Sequence, residues 1–71
     1  MGVTYKPLWK LLIDREIKKT EMSKAIGISS STLSKLGKDQ YVSLDVLVRI
    51  CRYLNCQLSE ICKVENQNEV K

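Results

Sequence analysis

The side chains able to do chemistry are few and unevenly placed. Ser29, Ser30, Ser31 and Ser34 form a local cluster of hydroxyls, with Lys35 directly after the last. For nucleophilic catalysis such serines need a base, and the chain contains no histidine, the commonest one. No paired carboxylates share a local motif, and there is no glycine-rich phosphate loop or nucleophile–base pair. No catalysis is expected. Cys51, Cys56 and Cys62 have no Cys-x-x-Cys spacing, and a structural zinc needs four ligands. No metal or other cofactor is therefore expected. Three cysteines leave one unpaired, which argues against a secreted disulfide framework, so these thiols read as small buried hydrophobes.

Charge is more informative by position than by sum. Up to Lys38 eight basic residues face three acids, a balance of +5; from Asp39 onward four bases face five acids, a balance of −1. One half of a 71-residue chain is basic and the other nearly neutral. That asymmetry suggests an anionic partner, with nucleic acid first and an acidic protein or membrane surface behind it.

Side chains in this pattern must be held by short helices. The chain is 44% hydrophobic and 28% charged, enough to collapse into one small domain and stay soluble. Glycine and proline are scarce, and no Asn-Gly or Asp-Gly pair signals a hairpin. Leu8, Leu11 and Leu12, extended by Tyr5 and Trp9, have helical spacing and predict a first helix from about Tyr5 to Arg15. Thr20 is placed to cap a second helix with Met22, Ala25 and Ile26 inward, and Gly27 to stop it in a left-handed conformation. Ser29 or Ser30 can cap a third helix with Leu33 and Leu36 inward, stopped by Gly37 in the same way. Ser43 can cap a fourth, ending near Asn55. Its inward stripe reads as Leu44, Leu47, Val48, Cys51 and Leu54, with Val46, Ile50 and Tyr53 widening the apolar arc. Leu58 to Ile61 predict one further helical turn. A second reading places Cys62 and Val64 as a short strand beside Val3 and Tyr5. Residues 1–64 read as the domain and residues 65–71 as a polar, frayed tail.

The segment from Thr20 to Leu36, Thr-Glu-Met-Ser-Lys-Ala-Ile-Gly-Ile-Ser-Ser-Ser-Thr-Leu-Ser-Lys-Leu, resembles the helix-turn-helix of the Cro/CI-like (XRE-type) regulators of bacteria and phages. The likeness continues through Ser43-Leu-Asp-Val-Leu-Val-Arg-Ile-Cys-Arg-Tyr-Leu54 and spans roughly residues 5 to 62. It implies an all-α fold, a compact five-helix bundle of the lambda-repressor-like type, with the helix-turn-helix formed by helices 2 and 3. The function implied is regulation of transcription by binding double-stranded DNA, with the third helix in the major groove.

By position, the resemblance assigns base contacts to Ser29, Ser30, Ser31, Ser34 and Lys35. It assigns phosphate contacts to Lys19, Thr20, Lys24, Lys38, Gln40 and Tyr41. The third helix lacks the Gln, Asn and Arg that make bidentate base contacts, and Lys35 is its one long donor, with guanine as the natural target. Specificity is therefore expected to be modest, or to draw on DNA shape and bridging water.

Two arrangements fit the wide arc of the fourth helix. Val46, Ile50 and Tyr53 meet a second copy in a two-fold homodimer, or the first helix or the tail covers them within one chain. A second functional reading is a protein-interaction module, antitoxin-like or an adaptor, on the same scaffold. No apolar run approaches the ~20 residues of a membrane span, and no secretory signal is visible. The expected location is the cytoplasm, on the nucleoid, with no membrane partner.

Overall fold

The computed structural model describes residues 2–65. In chain order it has β1 (Val3–Thr4), α1 (Lys6–Asp14), α2 (Lys19–Ile26), α3 (Ser30–Gly37), α4 (Leu44–Leu54), a 3-10 turn (Leu58–Glu60) and β2 (Lys63–Val64). β1 and β2 pair antiparallel, Val3 opposite Val64 and Thr4 opposite Lys63. The domain is mostly helical, as expected, but where a fifth helix was expected it has a 3-10 turn, and a small sheet ties the two ends of the described chain. Of the strand reading of Cys62 and Val64 beside Val3 and Tyr5, the fold keeps Val64 beside Val3, while Cys62 and Tyr5 lie just outside the two strands. Of the expected tail, residues 66–71 lie outside the described residues, while the Glu65 amide donates to the Gly2 carbonyl at 2.9 Å.

The core is one cluster. Tyr5, Leu8, Leu12, Met22, Leu36, Ile50, Leu54 and Ile61 are each at most 2% exposed. Leu8 and Leu12 lie one turn apart on α1, as Ile50 and Leu54 do on α4, so each helix sinks a short ridge into the same centre. Pro7 falls in the first turn of α1, where its missing N–H costs nothing. Leu11, Ile26, Ile28 and Leu33 are half-buried against the cluster. Ala25, expected inside, is exposed.

The fourth helix is rotated from its expected orientation. Ile50 and Leu54 are buried, and Val46, Leu47, Cys51 and Tyr53 pack partly against the core. Leu44 and Val48, expected inward, are 63% and 41% exposed. At 100° per residue they lie about 120° and 160° from Ile50. The buried sector is thus turned by roughly a quarter of the circumference from the stripe of Leu44, Leu47, Val48, Cys51 and Leu54. The cause is the set of neighbours: α2 and the 3-10 turn both pack on α4. The homodimer assignment of Val46, Ile50 and Tyr53 is corrected accordingly. Ile50 is 0% exposed within one chain, and its two companions lean on the same core.

Helix ends follow local chemistry, with two corrections. α2 begins one residue before Thr20, and its N-cap is Lys18. The Lys18 amide donates to the Glu21 carboxylate at 3.5 Å, half of a capping box. The expected left-handed stop at Gly37 is absent, because Gly37 is the last residue of α3. The left-handed residue is Asp39, at φ +57°, and its carboxylate accepts the Tyr5 amide at 2.9 Å. That bond offsets the strain an Asp tolerates better than most residues there. Ser43 caps α4 by accepting the Val46 amide at 3.3 Å, and Asn55 ends that helix at φ +54°.

Candidate nucleic-acid interface

The turn between α2 and α3 is set by Gly27. Its φ is +73°, a region that costs a residue with a Cβ ~1–2 kcal/mol. Nothing lies within 4 Å of where a Cβ would stand, so backbone conformation rather than space calls for glycine. The Gly27 and Ile28 amides both donate to the Ser23 carbonyl, at 3.0 and 3.1 Å, closing the end of α2. The Ser23 hydroxyl turns back to donate to the Thr20 carbonyl at 2.9 Å.

Ser29 is the N-cap of α3. Its Oγ accepts the Thr32 amide at 3.1 Å and lies 3.0 Å from the Ser31 Oγ. This hydroxyl is therefore engaged in holding the helix start. Ser30, Ser31, Ser34 and Lys35 are all exposed along the outer side of α3, while Leu36 is buried and Leu33 half-buried on its inner side. Residues 31, 34 and 35 are spaced i, i+3, i+4 and share one face. Leu36, anchored in the core, thus fixes which way the hydroxyls and the ammonium face.

The lysines expected to meet phosphates lie on α2 and at the end of α3. Lys19 and Thr20 occupy the first turn of α2 and Lys24 its last turn, all exposed. The Lys19 ammonium lies over the Trp9 ring, 4.4 Å from its centroid. An ammonium has three donors; the ring engages one side and leaves the others to reach a phosphate. No local spacing signals this cation–π pair, because nine residues, including a turn, lie between its members. Lys38 is the C-cap of α3.

Gln40 and Tyr41 follow in a loop held by Tyr5, the residue before α1. The Tyr5 hydroxyl donates to the Gln40 carbonyl at 2.9 Å, and the Gln40 amide donates to the Lys35 carbonyl at 2.9 Å. A side chain at Gly2, which has φ +104°, would strike the Tyr41 hydroxyl. Tyr41 itself is 74% exposed. Tyr5 and Asp39, which set this loop, were not among the expected site residues, since only long-range hydrogen bonds connect them to it. Burial, first, holds the Tyr5 hydroxyl protonated above its ordinary range.

Among the described residues the single ion pair is Asp45 with Arg49, at 3.0 Å. Lys19, Lys24, Lys35 and Lys38 accordingly have no acidic partner there. No group of three or more metal-binding side chains occurs among them either. Burial, above all, pushes the Cys56 and Cys62 thiols up, with the nearby Cys51 adding to it. Both belong to half-buried cysteines.

Two short helices joined by a glycine turn, with a polar outer face on the second and unpaired lysines at their ends, define a helix-turn-helix. Residues 7–67 match the family described as Cro/C1-type HTH DNA-binding domain, and the chain belongs to that family. It is also similar to the transcriptional regulator VanUg, whose crystal structure (form II) it matches at 52% identity with a TM-score of 0.90. That match covers 93% of this chain and 88% of the other. Among curated proteins none matches. The chain is thus a DNA-binding helix-turn-helix domain of the Cro/C1 type, a non-enzymatic class. No helix among the described residues is long and apolar enough to cross a membrane.

Proposed function

We propose that this domain regulates transcription by occupancy, sitting on duplex DNA and blocking or assisting polymerase. The observation that carries the reading is the outer face of α3. Ser30, Ser31, Ser34 and Lys35 are exposed together, and the lysines of α2 and at the end of α3 lack acidic partners among the described residues. In this reading Lys35 reads a guanine edge and Ser30, Ser31 and Ser34 meet neighbouring bases directly or through water. Ser29 acts chiefly as the cap that aims them. Lys19, Thr20, Lys24, Lys38, Gln40 and Tyr41 meet phosphates on either side, and release of condensed counterions supplies much of the affinity. Residues 1–64 are the binding domain, and its place is the cytoplasmic nucleoid. The likeness to VanUg, a transcriptional regulator, supports the regulatory part of the reading.

We infer further that two copies act on one operator. With Ile50 inside, the apolar surface left on α4 is Leu44 and Val48, and a second copy would pair there. The half-sites would then lie about one helical turn apart, ~34 Å. Selection of bound duplexes from a random pool at physiological salt tests all of this. An enriched inverted repeat supports paired reading; a single enriched half-site, with a monomer in sedimentation, removes the dimer. A pool without enrichment and without salt-dependent binding removes the DNA reading itself.

A further inference from the structure

A second basic surface lies outside the helix-turn-helix. The first turn of α1 and the β1–β2 sheet enclose an open cleft of about 720 Å³, and no residue of α2 or α3 lines it. Lys6, Pro7 and Lys10 of α1 line it together with Thr4, Lys63 and Val64 of the sheet and Glu65, so three ammoniums share it with one carboxylate and with the apolar Pro7 and Val64. None of these three lysines has an ion-pair partner among the described residues. Val64 is 85% exposed.

The placement of these charges works against the fold. Lys6 opens α1, which has no acid in its first turn and no base in its last, and Asp14 closes it. Cations at the positive end of a helix and an anion at the negative end both oppose the helix dipole. Lys6 and Lys10 are also like charges at i, i+4, which repel. α3 also lacks an acid in its first turn but has Lys35 in its last, and α2 opens with Lys19; both still carry a favourable charge that α1 lacks. α2 has Glu21 first and Lys24 last, and α4 has Asp45 first and Arg52 last. The amides at the start of α1 are already satisfied. Lys6 donates to the Thr4 hydroxyl at 3.3 Å, Pro7 has no N–H, and Leu8 and Trp9 donate to the Tyr5 carbonyl. Recognition in the cleft therefore falls to the ammonium groups and the apolar floor.

We infer that this cleft docks an acidic, partly apolar segment of a partner protein. Three unpaired ammoniums call for carboxylates, and Pro7 with exposed Val64 calls for an aliphatic side chain beside them. A nucleic-acid backbone would supply the charge and leave the apolar floor unmatched. Such a partner would leave the α2–α3 face free for duplex DNA. The inference does not rest on the DNA reading, since it concerns residues that reading leaves unused.

The test uses the full chain and a fluorescein-labelled peptide of repeated Glu-Glu-Val triplets, read by anisotropy at physiological salt, beside a second peptide with Ser in place of Val. The Val peptide should bind saturably, and at least about tenfold more tightly than the Ser peptide, which lacks the buried methyl groups. The double variant Lys6→Gln/Lys10→Gln, and separately Lys63→Gln, should weaken it about tenfold. Lys19→Ala and Lys38→Ala should leave it unchanged. The double variant should also melt higher by about 2–4 °C, because it relieves the conflict with the helix dipole and the like-charge pair. A variant that is more stable and binds less cannot have lost affinity by unfolding. Equal binding of both peptides, or indifference to all three cleft lysines, overturns the proposal. It is also overturned if duplex DNA displaces the peptide and the cleft variants lower the salt slope of DNA binding, which would make the cleft a phosphate contact.

Discussion

Helices α3 and α4 begin alike and are oriented by different means. Each is capped by a serine hydroxyl accepting an amide three residues on, Ser29 from Thr32 and Ser43 from Val46. α3 carries a narrow apolar stripe, Leu33 and Leu36, in an otherwise polar helix. One rotation buries both, and that rotation presents Ser30, Ser31, Ser34 and Lys35 to solvent. α4 is apolar around most of its circumference, so several rotations bury comparable area. Its neighbours choose among them: α2 and the 3-10 turn take the side centred on Ile50, leaving Leu44 and Val48 out. A narrow stripe orients its own helix, and a wide arc leaves the decision to packing.

The largest effect should come from exchanging the two sides of α4. Ile50→Ala should cost about 2–5 kcal/mol through the cavity it leaves, as should Leu36→Ala on α3. Val48→Ala should stay within about 0.5 kcal/mol at protein concentrations too low for two copies to pair, as exposed positions do. Thermal unfolding at several protein concentrations checks both. If Val48→Ala destabilises as much as Ile50→Ala, and more so at high concentration, a second copy covers that face.

On the α3 side, Lys35→Ala should lose about 1–3 kcal/mol on the preferred duplex and relax the choice at a guanine-bearing position. Equal loss on specific and scrambled duplexes would make Lys35 a phosphate contact only. Next come the caps. Ser29→Ala and Ser43→Ala should each cost about 1 kcal/mol of stability, and only Ser29→Ala should also reduce duplex affinity. Equal effects on DNA binding would mean that the start of α3 is not what aims the reading face.

Lys19→Ala should weaken all duplexes alike and lower the salt slope by roughly one unit. Trp9 emission should change on DNA binding in the native chain and not in that variant; an unchanged native signal would separate the cation–π pair from the interface. The smallest effect is alkaline. Cys56 and Cys62 are held protonated in the fold, above their ordinary 9.0. Above that pH the unfolded chain releases protons that the folded one keeps, so stability is full below about pH 8.5 and falls as pH rises. Tyr5 adds the same sense beyond its ordinary 10.0. A melting temperature flat from pH 8 to 11 would contradict this.

Legibility in the sequence followed the range of the interactions. Ser29, Ser43, Gly27 and Asn55 act on backbone groups within five residues, so helix starts and stops near them could be read directly. Gly37 shows the limit. Its type suits a left-handed stop, yet Asp39 takes that conformation because its carboxylate reaches the Tyr5 amide, 34 residues away. Thr20 yielded the cap of α2 to Lys18 because Glu21 could close on the Lys18 amide.

The helix-turn-helix follows from neighbouring residues alone: the spacing of Met22, Ile26, Ile28, Leu33 and Leu36, the left-handed glycine, and the polar outer face that this spacing leaves behind. These are local consequences of a 3.6-residue period and of which residues tolerate positive φ. Packing set the rotation of α4, the seat of Lys19 over Trp9 and the latch from Tyr5 to Asp39 and Gln40, and it selected the pairing of Val3 with Val64 that the sequence offered only as one reading. Each of these joins residues with no helical or strand period between them. Their partners are selected by the free energy of the whole packed core, in which burial of Tyr5, Ile50 and Ile61 outweighs any preference written locally.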